Sequence, residues 1–385
     1  MNLFGYSPND LSNLGAAHTA REIAQQPELW REVAREATCN KSVVDAFLNP
    51  LLERNNLRIV LTGAGTSAFA GQVLAPLLSR RLRRRVEAVA TTDLVSTPRE
   101  CFAEDVPTLL VSFARSGDSP ESVAATEVAE QILSEVHHLV VTCNPDGRLA
   151  HDHSGANRSR VVLMPPAAND RGFAMTSSFT CMTLATLLAF GAAQDTDMVE
   201  QLARAAEHVL AARSADAQAI AQRGYERIVY LGSGGLQGLA RESALKMLEL
   251  TAGDFAVLAA SPLGFRHGPK AFLDDRTLVM VYLSNDANTR LYDLDMLAEL
   301  RAARGERNVI AITAAAHDVP DDETVWQLPW VADLPDAAFA LAAVLCAQML
   351  GLHASLTAGH TPDNPFPSGE VNRVVEGVTL HLLGK

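Results

Sequence analysis

Short continuous apolar runs alternate along this chain with longer segments whose apolar positions recur at helical spacing. The first strong run, Ile59-Val-Leu-Thr-Gly-Ala-Gly65, ends in glycines and leads into Thr66 to Ser79, which has helical spacing. Ile228-Val-Tyr-Leu-Gly-Ser-Gly234 repeats it, followed by the helical Leu236 to Leu250. The offset between the two is 169 residues, and the same offset carries Thr108-Leu-Leu-Val onto Thr277-Leu-Val-Met and Val140-Val-Thr onto Val309-Ile-Ala. Three strand-like runs at one offset indicate a duplication.

Continuous apolar strands belong to parallel sheets covered on both faces by helices. The pattern therefore predicts an α/β fold of two copies, each a β-α-β-β-α-β unit. Expected strands in the first copy lie near 58–63, 86–91, 108–113, 138–143 and 160–164. In the second they lie near 227–232, 255–259, 277–283, 308–313 and 325–329. Residues 10–48 read as helical, with Asp10 or Ser12 able to cap the element and Pro27 interrupting it. Gln201 to Arg223 reads as a charged helical connector. The expected division is an N-terminal helical extension over 1–48, a first domain over 49–212, and a second domain with a C-terminal tail over 213–385.

Composition narrows the function classes. A 385-residue chain that is 48% hydrophobic can bury two cores. A formal charge of −13 argues against general nucleic-acid binding, which needs basic surface. It leaves room for a phosphate ligand, because backbone N–H groups and hydroxyls can form a local anion site. The one dense basic run, Arg80 to Arg85, reads as a solvated helix end. Cys39, Cys101, Cys143, Cys181 and Cys346 have neither Cys-x-x-Cys spacing nor nearby histidines, so neither a zinc site nor a disulfide framework is expected. Met1 to Gln26 lacks a basic region followed by an apolar core, and no signal peptide is read there. Ala337 to Leu352 is apolar but short, alanine-rich and interrupted by Gln348, which suits a buried helix better than a membrane span. The expectation is a soluble cytoplasmic protein with no nucleic-acid or membrane partner.

Ligands of open parallel sheets bind beyond the carboxyl ends of the strands. Gly63-Ala-Gly-Thr66-Ser67 lies at such an end, where glycines permit close backbone approach and a helix N-terminus favours an anion. Alone it is equally a dinucleotide-type turn or a structural one. Ser112-Phe-Ala-Arg115-Ser116-Gly-Asp-Ser119-Pro-Glu-Ser122 is a second strand-to-helix loop, rich in hydroxyls; it could surround a phosphate or simply cap a helix. Two such loops in one sheet favour phosphate. A dinucleotide site, with Asp93 as its acid, leaves the second loop unexplained. The matching second-copy loop, Leu283-Ser-Asn-Asp-Ala-Asn288, has no Ser-Gly turn. That copy carries ionisable groups instead. Glu242, Lys246 and Glu249 lie at i, i+4 and i+7, on one helix face, which is also the spacing of an ordinary exposed ion pair. His267 stands in a turn with Gly268 and Pro269, and lone histidines are as often structural as catalytic.

These motifs, in this order, resemble the tandem sugar isomerase (SIS) domains, including the isomerase half of glucosamine-6-phosphate synthase. The nearer likeness is to the galactosamine-6-phosphate deaminase/isomerases of bacterial amino-sugar catabolism. It is carried by Ser112 to Gly117, Phe173-Ala-Met-Thr-Ser-Ser-Phe-Thr180 and His360-Thr-Pro-Asp-Asn-Pro-Phe-Pro-Ser-Gly-Glu-Val-Asn-Arg373, and spans roughly residues 50 to 375. The resemblance implies two tandem SIS domains, each a five-stranded parallel sheet flanked by helices. It implies that Thr66, Ser67, Arg115, Ser116 and Ser119 bind the substrate phosphate, and that Thr176, Ser177 and Arg373 are further substrate contacts. It assigns Glu249 as the base that moves a proton between carbons 1 and 2, Glu242 and Lys246 as its charged partners, and His267 as the ring-opening group. In the synthase that histidine comes from the neighbouring subunit, which implies a homodimer. Ala114 and Arg115 replace a serine and a glutamine of the synthase loop, and the synthase tail lysine has no clear match in Val371 to Lys385.

No glutamine-hydrolysing domain precedes Ile59, which favours release of ammonia over its incorporation. The expected reaction converts a hexosamine 6-phosphate, galactosamine 6-phosphate first, to the ketose phosphate and ammonia, and calls for no metal and no cofactor. The alternatives are an aldose–ketose isomerase without ammonia loss and a catalytically silent sugar-phosphate sensor. The sensor reading leaves Glu242, Lys246 and Glu249 without a task, and Met1 to Pro50 shows no basic recognition helix.

Overall fold

The computed structural model describes residues 2–191, 196–320, 322–375 and 377–381. Ten strands form two sheets of five, all pairings parallel. In the first sheet β1 is Arg58–Thr62, β2 Val86–Ala88, β3 Thr108–Ala114, β4 Val136–Thr142 and β5 Ser159–Leu163. In the second β6 is Arg227–Gly232, β7 Ala256–Ala260, β8 Thr277–Tyr282, β9 Val309–Thr313 and β10 Val325–Gln327. The spatial orders are β2-β1-β3-β4-β5 and β7-β6-β8-β9-β10, the same doubly wound order twice. Every expected strand is present, as are the flanking helices.

The β-α-β-β-α-β description needs correcting in one respect. β2 and β3 lie on opposite sides of β1 and run parallel to it, so no hairpin can join them. Two short helices, Thr91–Ser96 and Pro98–Cys101, make the crossover, and the first begins where strand had been expected to continue. In the second copy the short helix Pro262–Phe265 and the 3-10 turn Pro269–Phe272 fill the same place.

Contacts divide the described residues into two compact units. One holds the described residues within 29–169, 177–191 and 368–381 around the first sheet, and the other those within 2–28, 170–176 and 196–367 around the second. The expected boundaries at 48/49 and 212/213 fall inside single helices, Gln26–Leu52 and Thr196–Ala221. The last four residues of the C-terminal tail lie outside the described residues.

In the first unit Val60 and Leu110 pack under Leu94, Ala125 and Val128 on one side of the sheet. Arg83 closes the helix Thr66–Leu82 in the left-handed conformation, and Arg84 donates to the carbonyls of Leu52 and Arg54, so the basic run is partly spent on bracing. In the second unit Val229, Val279 and Val281 pack against Phe265, Met296, Leu297 and Leu300.

The N-terminal segment is three helices rather than one interrupted element. Ser7 caps the first, Pro8–Asn13, in a reciprocal capping box with Asp10, so the cap lies upstream of both expected candidates. Pro27 sits in the first turn of Gln26–Leu52, where its missing N–H has no intrahelical partner to lose. Ala337 to Leu352 is buried within the helix Asp336–Thr357, long and apolar enough to cross a membrane but wholly enclosed by protein. None of the five cysteines is in a disulfide among the described residues.

Candidate active site

In this strand order the chain reverses direction of winding between β1 and β3, and between β6 and β8; such switch points are where open α/β sheets bind ligands. Both expected anion loops stand at the first of them. Gly63 follows β1, and a Cβ there would lie 2.5 Å from the Ser67 Cβ, so only glycine lets the helix start this close to the strand. Gly65 precedes the helix with φ 54° and ψ −125°. Gly232 and Gly234 repeat this turn in the second unit, Gly234 with φ 55° and ψ −125°. The duplication thus extends to backbone angles.

Thr66 and Ser67 are buried in the first turn of the helix Thr66–Leu82. Across the switch point, Thr62 and Ser112 are register partners and face the same side of the sheet. The hydroxyls of Thr62, Thr66, Thr91 and Ser112 are all buried with no hydrogen-bond partner among the described residues. An unsatisfied buried hydroxyl costs about 1–3 kcal/mol, and four around one strand end mark a place that a polar ligand or ordered water completes.

The serine-rich loop is fixed from behind. Gly117 takes a positive φ of 74°, the Asn144 side chain donates to the Ser116 carbonyl at 2.9 Å, and the Leu149 N–H donates to the Gly117 carbonyl at 3.0 Å. Asp118 accepts from the Arg148 N–H at 2.9 Å. Ser116 Oγ accepts weakly from the Asp118 N–H at 3.3 Å, and Ser119, the N-cap of Pro120–Ile132, donates to Ser122 Oγ at 2.6 Å. Arg115 is buried and donates to the Arg373 carbonyl at 2.6 Å, so the C-terminal segment docks on this loop.

The matching point of the second unit is filled from within. Ser233 donates to Asp293 at 2.5 Å, and the Ser284 N–H donates to the other Asp293 oxygen at 2.9 Å. Asp336 accepts from Ser284 Oγ at 2.6 Å and from the Asn285 N–H at 2.7 Å. Burial pushes the Asp293 carboxyl up to about 6 against the lowering effect of its Ser233 and Ser284 donors.

The charged helix is Gly235–Leu250. Glu242 and Lys246 are fully buried, 3.5 Å apart, and Lys246 also pairs with Glu249, whose side chain keeps 23% exposure. An ordinary surface pair would leave all three wet. Here a buried ammonium is held between two carboxylates, one of which reaches the surface. His267 lies elsewhere on this unit, exposed in the turn after Pro262–Phe265, its backbone N–H bonded to Gly264; its imidazole has no partner among the described residues.

Thr176 is held by Asp170. Its N–H donates to Asp170 at 2.8 Å and its hydroxyl to the other oxygen at 3.3 Å. Nearby Glu22 accepts from the N–H groups of Arg171 and Gly172, and burial, then Asp170, pushes its carboxyl up to about 7. Ser177 is fully buried at the start of Ser177–Ala189. The bracing carboxylates Asp170, Asp293 and Asp336 escaped sequence reasoning, because an acid on a helix or loop gives no sign of the distant backbone it will cap.

A SIS domain model matches residues 51–192. A Streptomyces coelicolor protein bearing the name AgaS is 61% identical over 96% of both chains. The D-galactosamine-6-phosphate deaminase AgaS of Shewanella sp. strain ANA-3 is 42% identical over 97% of this chain and 94% of its own. This chain belongs to the AgaS family of SIS-domain proteins. Among solved structures, the tagatose-6-phosphate ketose/aldose isomerase from Escherichia coli superposes with a TM-score of 0.88 at 43% identity, covering 94% of this chain and 96% of that one.

Proposed function

We propose that this AgaS-family chain is a D-galactosamine-6-phosphate deaminase, releasing ammonia and tagatose 6-phosphate. The observation that carries the reading is the Glu242–Lys246–Glu249 series: a buried lysine between two carboxylates, with Glu249 alone reaching the surface. Such a group can take a carbon-bound proton while its charge is balanced from behind.

In this scheme Thr66, Ser67, Arg115, Ser116 and Ser119 hold the phosphate, with Thr176, Ser177 and Arg373 as supporting contacts. His267 assists opening of the amino-sugar ring. Glu249 removes the proton from carbon 2, acidified by the carbon-1 aldehyde, and the electron pair forms the carbon 1–carbon 2 double bond as the aldehyde oxygen gains a proton. Protonation at carbon 1 gives the carbon-2 imine, and one water replaces its nitrogen, yielding ketose phosphate and ammonia. Lys246 and Glu242 hold the charge of Glu249 through these steps. The chain acts in the cytoplasm as a homodimer, with the exposed His267 offered to the partner subunit's site. Support for this reading comes from the family, the open switch point of the first sheet and the exposure of His267.

The test is ammonia release from galactosamine 6-phosphate, with glucosamine 6-phosphate alongside. Stoichiometric ammonia and tagatose 6-phosphate are expected, with the galacto sugar preferred. Isomerisation of tagatose 6-phosphate without ammonia loss from the amino sugar would instead favour the plain isomerase.

A further inference from the structure

His267 is an exposed side chain on a short turn, and ring opening needs its imidazole in one place. What holds that turn is visible on either side of it. Arg266, immediately before His267, donates to Glu299 Oε2 at 2.8 Å, and Lys270, three residues after it, pairs with the other oxygen of the same carboxylate. Glu299 lies on the helix Ala287–Arg304, whose Met296, Leu297 and Leu300 pack against Phe265 and Leu273, the buried residues bounding the turn. Between the two cations the backbone is already restricted: the His267 N–H bonds to Gly264, Gly268 takes a φ of 117°, and Pro269 opens a 3-10 turn. Apolar packing therefore fixes the ends of the segment, and one bridging carboxylate fixes the side chains that flank the histidine.

Global stability does not explain this arrangement. Arg266, Glu299 and Lys270 keep 34%, 36% and 33% of their side-chain surface exposed, and ion pairs so wet contribute little to folding. A carboxylate that bridges two cations, one through each oxygen, gives orientation instead.

We infer that Glu299 is a positioning residue for ring opening, clamping Arg266 and Lys270 so that His267 is presented to the ring oxygen of the closed sugar phosphate. This rests on the ring-opening role proposed for His267. Loss of the clamp leaves the fold and the proton transfer at carbon 2 intact and slows only the step that precedes it.

The experiment compares galactosamine 6-phosphate with an analogue lacking the 4- and 5-hydroxyls, which cannot close a furanose or pyranose ring. Glu299→Ala is expected to lower turnover of the ring-closed substrate by about 10–100-fold, the cost of misplacing a catalytic group by an ångström or so. Turnover of the open-chain analogue should stay within about threefold of the parent protein on the same reasoning. Glu299→Asp, which keeps the charge, should recover part of the loss, and the thermal midpoint should barely move. His267→Ala is measured in parallel. A selective loss in His267→Ala with none in Glu299→Ala overturns the clamp and leaves the ring-opening role standing. Equal losses on both substrates in Glu299→Ala also overturn it, as a general structural effect. No selectivity in either variant overturns the role of His267 and the clamp with it.

Discussion

At the carboxyl ends of β1 and β3, four buried hydroxyls have no partner among the described residues; at the matching ends of β6 and β8, Asp293 and Asp336 occupy the serine hydroxyls and backbone N–H groups. The two places share strand order, glycine spacing and turn angles. A switch point gathers donors because strands end and helices begin there, and it suits an anion or another polar group. In one copy the hydroxyls have no partner among the described residues, and in the other the chain supplies its own carboxylates. The backbone creates the demand, and a few side chains decide who meets it. The self-filled copy is the one whose helix carries Glu242, Lys246 and Glu249.

The largest effect that would break this comparison is at Glu249. Glu249→Gln keeps the volume and leaves Lys246 paired with Glu242, so the protein should fold; turnover should fall by about 10²–10⁴-fold, the usual share of general acid–base catalysis, in a steady-state ammonia assay. In the open copy, Ser67→Ala or Ser116→Ala should weaken sugar-phosphate binding by about 5–150-fold, equivalent to about 1–3 kcal/mol per charged hydrogen bond lost. Titration calorimetry with galactosamine 6-phosphate checks this, and full response to the unphosphorylated amino sugar would contradict it.

The last effect concerns the self-filled copy and is read as stability against pH. The folded-state carboxyl of Asp293 is raised from 3.8 to about 6, so the native state holds its proton more tightly than the unfolded chain. Its contribution is therefore fully present below about pH 4 and lost as pH rises through about 6. Asp293→Asn does not titrate, so relative to the parent it should gain about 2–3 kcal/mol between pH 4 and pH 8 in urea unfolding. A constant difference across that range would show that the carboxyl is not raised.

Much of this was legible beforehand. The ten strands were legible as short apolar runs, and three pairs of them at one offset revealed the two copies. β2 ends early because Thr91 begins a helix whose N–H bonds back to Gly63, a tertiary bond with no trace in local pattern. The glycine and serine loops were legible because close approach and hydroxyl supply are written in residue type. Glu242, Lys246 and Glu249 were legible as a helix face, but their burial was not, since i to i+4 charges read the same on a wet surface. Ser7 as a cap, Glu299 as a clamp and Asp293 and Asp336 as internal anions depend on which backbone folds against them.

The central claim is that binding and proton transfer are separated between the copies, and it is tested most directly by measuring affinity and turnover together on Glu249→Gln and Ser116→Ala. The account predicts opposite patterns: Glu249→Gln binds galactosamine 6-phosphate as the parent does and scarcely turns it over, whereas Ser116→Ala binds it weakly and approaches parental turnover at saturation. Near-parental turnover in Glu249→Gln, or loss of affinity and turnover in equal measure in both variants, would contradict it.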